Sequence, residues 1–298
     1  VVSVGFDAEM SLMSSLTSTS ALLAITSALS VFLLIRAFTR RRLALGSYCG
    51  ITWAFFLGFL IADLVSFRAG NWVIAILSFI ALREYFSLID IRLQDRLGIL
   101  GAYASIPFMF HFVTIDWYGM FIISIPVYSF LAIPLLVTLG GRETDGTIFS
   151  IGAIDFGLFL FVYCMGHISY LMSYQTWMAV MLIVNVAICD GFARAVKRRG
   201  YAGWRGALMA CSLPIPFTAA FTVGISAWTT IPVWHSLIIG GMIPPLVLMG
   251  RRTGDYVEAD LGVKSDTLSP GRGLILDNLK SLLFAAPVVF HYIRYFLT

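Results

Sequence analysis

The chain has 298 residues, of which 59% are hydrophobic and only 12% charged, with a formal net charge of +4 and a mean hydropathy of +0.89. A soluble domain cannot leave that much hydrocarbon in water, so soluble-enzyme classes are excluded and an integral membrane protein is implied. Nothing in the composition points to a nucleic-acid partner, and Cys49, Cys164, Cys189 and Cys211 lack the CxxC spacing of a structural zinc or a disulfide framework. They read as small packing residues.

Apolar runs of about 20 residues, the length that crosses a hydrocarbon core as helix, recur along the whole chain. They fall near 18–38, 47–66, 71–90, 97–113, 117–139, 147–168, 172–193, 206–227, 229–249 and 274–297. With no room left for a soluble domain, the expected fold is an all-α polytopic membrane bundle of nine or ten spans, forming one transmembrane domain over 1–298. Within it, 18–170 supply the N-terminal helices and 171–298 a C-terminal part that carries the polar motifs. The Ser-rich lead before the first run has no basic residue, which predicts a first span rather than a cleaved leader.

Charge sorts the loops. Arg40 to Arg42 follow the first run, Arg92 and Arg96 the third, and Arg142 the fifth. Arg194, Lys197, Arg198, Arg199 and Arg205 surround the end of the seventh, while Arg251, Arg252, Lys264 and Arg272 follow the ninth. The alternate loops hold only Arg68. The positive-inside rule then predicts that odd-numbered spans end in the cytoplasm and both termini lie outside, so a polar site near the C-terminal spans faces the cytoplasm. His111, His167, His235 and His291 fall toward the opposite face, where unpaired histidines are expected to be interfacial anchors.

Several residues on the cytoplasmic side have the chemistry of a phosphate or metal site. In "RRTGDYVEAD", a helix continuing past the ninth run puts Asp255 and Glu258 at i and i+3 on one face, a pair suited to Mg²⁺ or to simple solvation. In "SPGRG", Gly271 and Gly273 flank Arg272, as a backbone cradle for phosphate or as a turn re-entering the membrane. Asp277 and Lys280 sit at i and i+3 inside the tenth run, where ionisable groups are costly unless they pair or line a cavity. Asn185 and Asp190 occupy the end of the seventh run beside its cations, and Asp63 and Asp155 are further intramembrane acids.

The order of these features resembles the C-terminal signature of the CDP-diacylglycerol synthases, the phosphatidate cytidylyltransferases. Gly254, Asp255, Glu258, Gly262, Val263, Lys264, Asp266, Pro270, Gly271, Gly273, Leu276, Asp277, Ser281, Leu282 and Pro287 match it in order. Less completely, "REYFSL" at Glu84 and Tyr85 and "CDGFARAVKRRGYAGWRG" with Asp190, Trp204 and Gly206 resemble upstream segments. The chain departs from the pattern where the family's histidine is Arg272 and its Arg and second Asp of D-R-x-D are Asn278 and Lys280.

What the resemblance implies is transfer of a cytidylyl group from CTP to phosphatidic acid, giving CDP-diacylglycerol and pyrophosphate in phospholipid synthesis at a bacterial cytoplasmic membrane. The implied cofactor is Mg²⁺ held by Asp255 and Asp277, with a second cation or the nucleotide supported by Asp190. Asp277, Lys264 and Asp266 are the implied catalytic set. Arg272, Gly271, Gly273, Asp190, Glu258 and Ser281 are the implied substrate-binding set. The alternative is a catalytically inactive paralogue, a lipid-binding or structural subunit of a membrane complex or homodimer.

Overall fold

The computed structural model describes residues 2–39, 45–90, 92–139, 144–263 and 273–297, with the side chains of 2–15, 36–39, 45–48 and 93 left aside. Lys264, Asp266, Gly271 and Arg272 lie outside the described residues. Every regular element among them is helical and no strand occurs. In chain order the helices are α1 (Val2–Thr39), α2 (Leu45–Leu64), α3 (Phe67–Leu88), α4 (Arg96–Thr114) and α5 (Tyr118–Leu139). They continue as α6 (Thr147–Tyr174), α7 (Thr176–Arg198), α8 (Gly203–Gly224), α9 (Val233–Asp260) and α10 (Leu274–Leu297). Among the described residues nine helices are long and apolar enough to cross a membrane, with Cys49–Leu64 a shorter tenth. The chain is an all-α polytopic membrane bundle.

Two helices carry π-turns and a third breaks at a proline. In α5 the turn Ser124–Ser129 is a π-helix containing Pro126, and α6 carries a second π-turn at Phe159–Tyr163. Such turns free a carbonyl, and His167 Nδ1 lies 2.7 Å from the Tyr163 carbonyl. α8 breaks between Ser212 and Ile215 at Pro214, which lacks the N–H to continue the ladder.

Packing centres on α10, which lies against α9, α6 and α7. Because lipid is as apolar as leucine, polar bridges and close backbone approach supply much of the association. Asn71 donates to the Phe110 carbonyl and Thr114, both at 2.8 Å, joining α3 to α4. Asn185 donates to Thr222 at 2.8 Å between α7 and α8, and Thr218 to the Gly240 carbonyl at 2.7 Å between α8 and α9. The far half of α10 packs Phe290 into a basket of Phe121, Tyr170, Tyr174 and His167.

The histidine expectation needs correction at His167. It is fully buried inside that basket rather than an interfacial anchor, because the π-turn points it into the bundle. His111 is exposed, His235 meets the Tyr292 hydroxyl at 3.0 Å, and His291 is half-buried against His167. Among the described residues the four cysteines form no disulfide, and Cys164 and Cys189 are buried.

Candidate functional site

At 28 residues, α9 is about 42 Å long at 1.5 Å per residue, more than the ~30 Å hydrocarbon core needs. Its last turns therefore project beyond the apolar run that sequence hydropathy detects, and they carry Asp255 and Glu258 on one face. That face meets the first turns of α10. Gly250 and Gly254 allow the approach: a Cβ on Gly250 would lie 2.5 Å from the Lys280 carbonyl oxygen, and one on Gly254 would lie 2.5 Å from Lys280 Cβ. The lysine stem thus runs along a glycine surface, beside a void of only about 10 Å³.

Lys280 Nζ is held by three carboxylates, at 2.6 Å from Asp255 Oδ1, 2.7 Å from Glu258 Oε2 and 2.7 Å from Asp277 Oδ1. The lysine side chain is 7% exposed, whereas Asp255 is 59% and Asp277 37% exposed. Of the two outcomes open to Asp277 and Lys280, pairing or lining a cavity, the structure has them paired, and the i, i+3 acids of α9 share the same partner. Glu258 makes as close a contact as the other two, and its Oε1 is buried with no partner among the described residues.

The next residue of α10 faces a different neighbour. Ser281 Oγ donates to Asp190 Oδ1 at 2.8 Å, and Arg251 Nη1 donates to the same oxygen at 2.9 Å. Asp190 and Ser281 are both buried, so this carboxylate ties α7, α9 and α10 together rather than opening to a ligand. One turn on, Arg194, Arg198 and Arg199 line a hollow of about 330 Å³ at the end of α7.

The start of α10 is fixed from two sides. Gly273 has φ +86, a conformation that side-chain-bearing residues rarely adopt, and a Cβ there would lie 2.6 Å from Val263 Cγ1. The Ile275 N–H donates to Glu84 Oε1 at 2.5 Å, so a carboxylate of α3 satisfies one of the free amides at the helix N-terminus and opposes its dipole. Glu84 belongs to the segment matched as "REYFSL", but its capping role joins residues too far apart for spacing to reveal. Arg251, read from sequence only as a topology signal, is the other participant that spacing does not identify.

Beside the acid face of α9 lies a groove of about 450 Å³ between α3, α6 and α9, lined by Tyr85, Ile148, Phe149, Phe156, Tyr256 and Val257 among others. Its floor on α6 is tied to the loop before α4. Arg92 forms a two-pronged pair with Asp95 at 2.8 and 3.0 Å, and Ser150 donates to Asp95 at 2.5 Å. Burial works against ionisation of Asp95, but the hydrogen bonds from Arg92 and Ser150 and the Arg92 charge outweigh it and hold the carboxyl below its ordinary range. Of the acids inside the apolar runs, Asp63 accepts from Thr19 at 2.6 Å. Both Asp155 oxygens are buried and unpartnered among the described residues.

These residues do not fit a divalent cation as they stand. Mg²⁺ needs several oxygens at ~2.0–2.1 Å around one point. Here that point is filled by the Lys280 ammonium, and among the described residues no group of three or more acids, histidines or cysteines is disposed to hold a metal.

The chain has a relative in Escherichia coli (strain K12). It is 28% identical over 241 residues, covering 74% of this chain and 78% of the relative, to the uncharacterized protein YnbB. No family model matches. The relative's name assigns no activity, so function is argued from the site.

Proposed function

We propose that this chain is a membrane protein of the phosphatidate cytidylyltransferase type, with its working site at the head of α10. The observation that carries the reading is convergence: Asp190, Asp255, Glu258, Asp277 and Ser281, from three separate stretches of sequence, meet across consecutive turns of α10. The resemblance named the same residues. Asp190 and Asp277, which lie in the apolar runs of α7 and α10 where ionisable groups are costly unless they pair or line a cavity, support the reading.

The reaction asks little proton chemistry of the protein. A phosphate oxygen of phosphatidic acid attacks the α-phosphorus of CTP; that P–O bond forms, the bond to the β-phosphate breaks, and pyrophosphate leaves. The nucleophile is already an anion, so the main task is to hold two anions together and stabilise charge on the leaving group. The arginine hollow on α7 supplies cations near Asp190, and the apolar groove of α3, α6 and α9 suits acyl chains. The Lys and Arg excess of the odd-numbered loops supports a cytoplasmic position for this face.

A second reading is favoured by one observation: Lys280 stands where the family has the second acid of D-R-x-D and pairs with the other acids. On that reading the chain is a paralogue that keeps the lipid site without turnover. Purified protein in vesicles containing phosphatidic acid, given labelled CTP, separates the two. Labelled CDP-lipid that falls on Asp277→Asn supports the first. No product from wild type, with phosphatidic acid retained through purification, supports the second.

A further inference from the structure

We infer that Lys280 is a built-in cation: its ammonium stands where three carboxylates would otherwise gather a divalent metal, so the cluster works without one. The inference rests on the head of α10 being the working site, but not on turnover there.

The geometry that points to it is the full use of both partners. An ammonium has three N–H donors and no acceptor, and Lys280 meets three separate carboxylates at 2.6, 2.7 and 2.7 Å. Two come from α9 and one from α10, so the lysine joins the helices as a bridging metal would. Its position is not that of a mobile surface lysine. Gly254 leaves only enough room for the stem, since an added Cβ would lie 2.5 to 3.0 Å from three of its carbons.

Charge argues in the same direction. Three acids surround one ammonium, and Glu258 Oε1 is buried with no partner among the described residues. Without the ammonium, three acids would crowd one partly buried point, an arrangement stabilised only by protonation or by a cation. Oxygen ligands of this kind suit Mg²⁺ or Mn²⁺. The lysine therefore does two things at once: it holds the acids of α9 and α10 together, and it keeps divalent cations out.

The test uses Mn²⁺ alone, in detergent, with neither CTP nor lipid substrate added, so that a failure to make CDP-lipid leaves it standing and the reverse also holds. Electron paramagnetic resonance counts bound Mn²⁺ in wild type, Lys280→Met and Lys280→Met with Asp277→Asn. The expected result is no ion held by the wild-type cluster, one ion gained in Lys280→Met, and that ion lost again in the double variant. An ion on wild type that disappears with Asp255→Asn or Asp277→Asn would overturn the inference. So would a folded Lys280→Met that gains none. Should Lys280→Met not fold, wild type and Asp277→Asn still decide whether the native cluster holds metal.

Discussion

The two halves of α10 solve the problem of polar groups in a membrane in opposite ways. Its head gathers charge, with Lys280 against Asp255, Glu258 and Asp277, and leaves two of the acids open to the surroundings. Its far half gathers rings, with Phe290 among Phe121, Tyr170, Tyr174 and the fully buried His167. Each half holds a buried side-chain atom with no hydrogen-bond partner among the described residues, Glu258 Oε1 at the head and His167 Nε2 in the basket. The head presents two exposed acids beside a groove, whereas at the basket the exposed Asp116 is taken up by the Tyr170 hydroxyl. Burial of a titratable group is therefore a weaker pointer to function than burial next to partners that remain accessible.

That contrast can be broken by substitution. In the ring basket, Phe290→Ala removes a fully buried aromatic and should cost about 3–5 kcal/mol, read as a lower unfolding temperature in detergent that does not change with salt. At the head, Lys280→Met removes three ion pairs and should cost about 3 kcal/mol, discounted because Asp255 is 59% exposed. This second loss should shrink in high salt, where the remaining carboxylates repel less. Equal salt dependence in both variants would erase the distinction.

Smaller effects sharpen the same comparison. Gly254→Ala puts a methyl against the lysine stem and should cost about 1–3 kcal/mol, while the corresponding change at Gly241, with open space around its Cβ direction, should cost less. Combining Gly254→Ala with Lys280→Met should cost less than the sum. Ser150→Ala should cost about 1 kcal/mol and flatten the acid limb of stability. The sign follows from the depressed carboxyl of Asp95: the unfolded chain binds the proton first, so its stabilisation is present above the unfolded value and is lost as pH falls through the folded one. Melting temperatures across the acid range check this.

Much of the architecture follows from hydropathy, because a span must hide its backbone and so advertises itself as an apolar run. The misplacements occur where helix and apolar run part company. The run near 229–249 ends well before α9 does at Asp260, since "RRTGDYVEAD" continues the helix in polar surroundings. The pairs Asp255 with Glu258 and Asp277 with Lys280 are visible as i, i+3 spacings. That one lysine serves both is not, because it depends on how closely α9 and α10 approach at Gly250 and Gly254. The same holds for Glu84 on the Ile275 amide, a contact between α3 and α10 that no local pattern encodes. His167 escaped for a related reason: its burial depends on a π-turn one turn earlier.

The central claim is that lipid phosphate and nucleotide meet at the head of α10, and α9 offers a direct test because it is exposed at both ends. Tyr256 is 75% exposed beside the acid cluster and Trp234 is 78% exposed at the other end. With the four native cysteines replaced, Tyr256→Cys and Trp234→Cys are labelled by a membrane-impermeant thiol reagent, with and without CTP and phosphatidic acid. The account predicts that the two ligands together slow labelling at 256 severalfold and leave 234 unchanged, with 256 reached only from the cytoplasmic side. Unchanged labelling at 256, or equal protection at both positions, would contradict it.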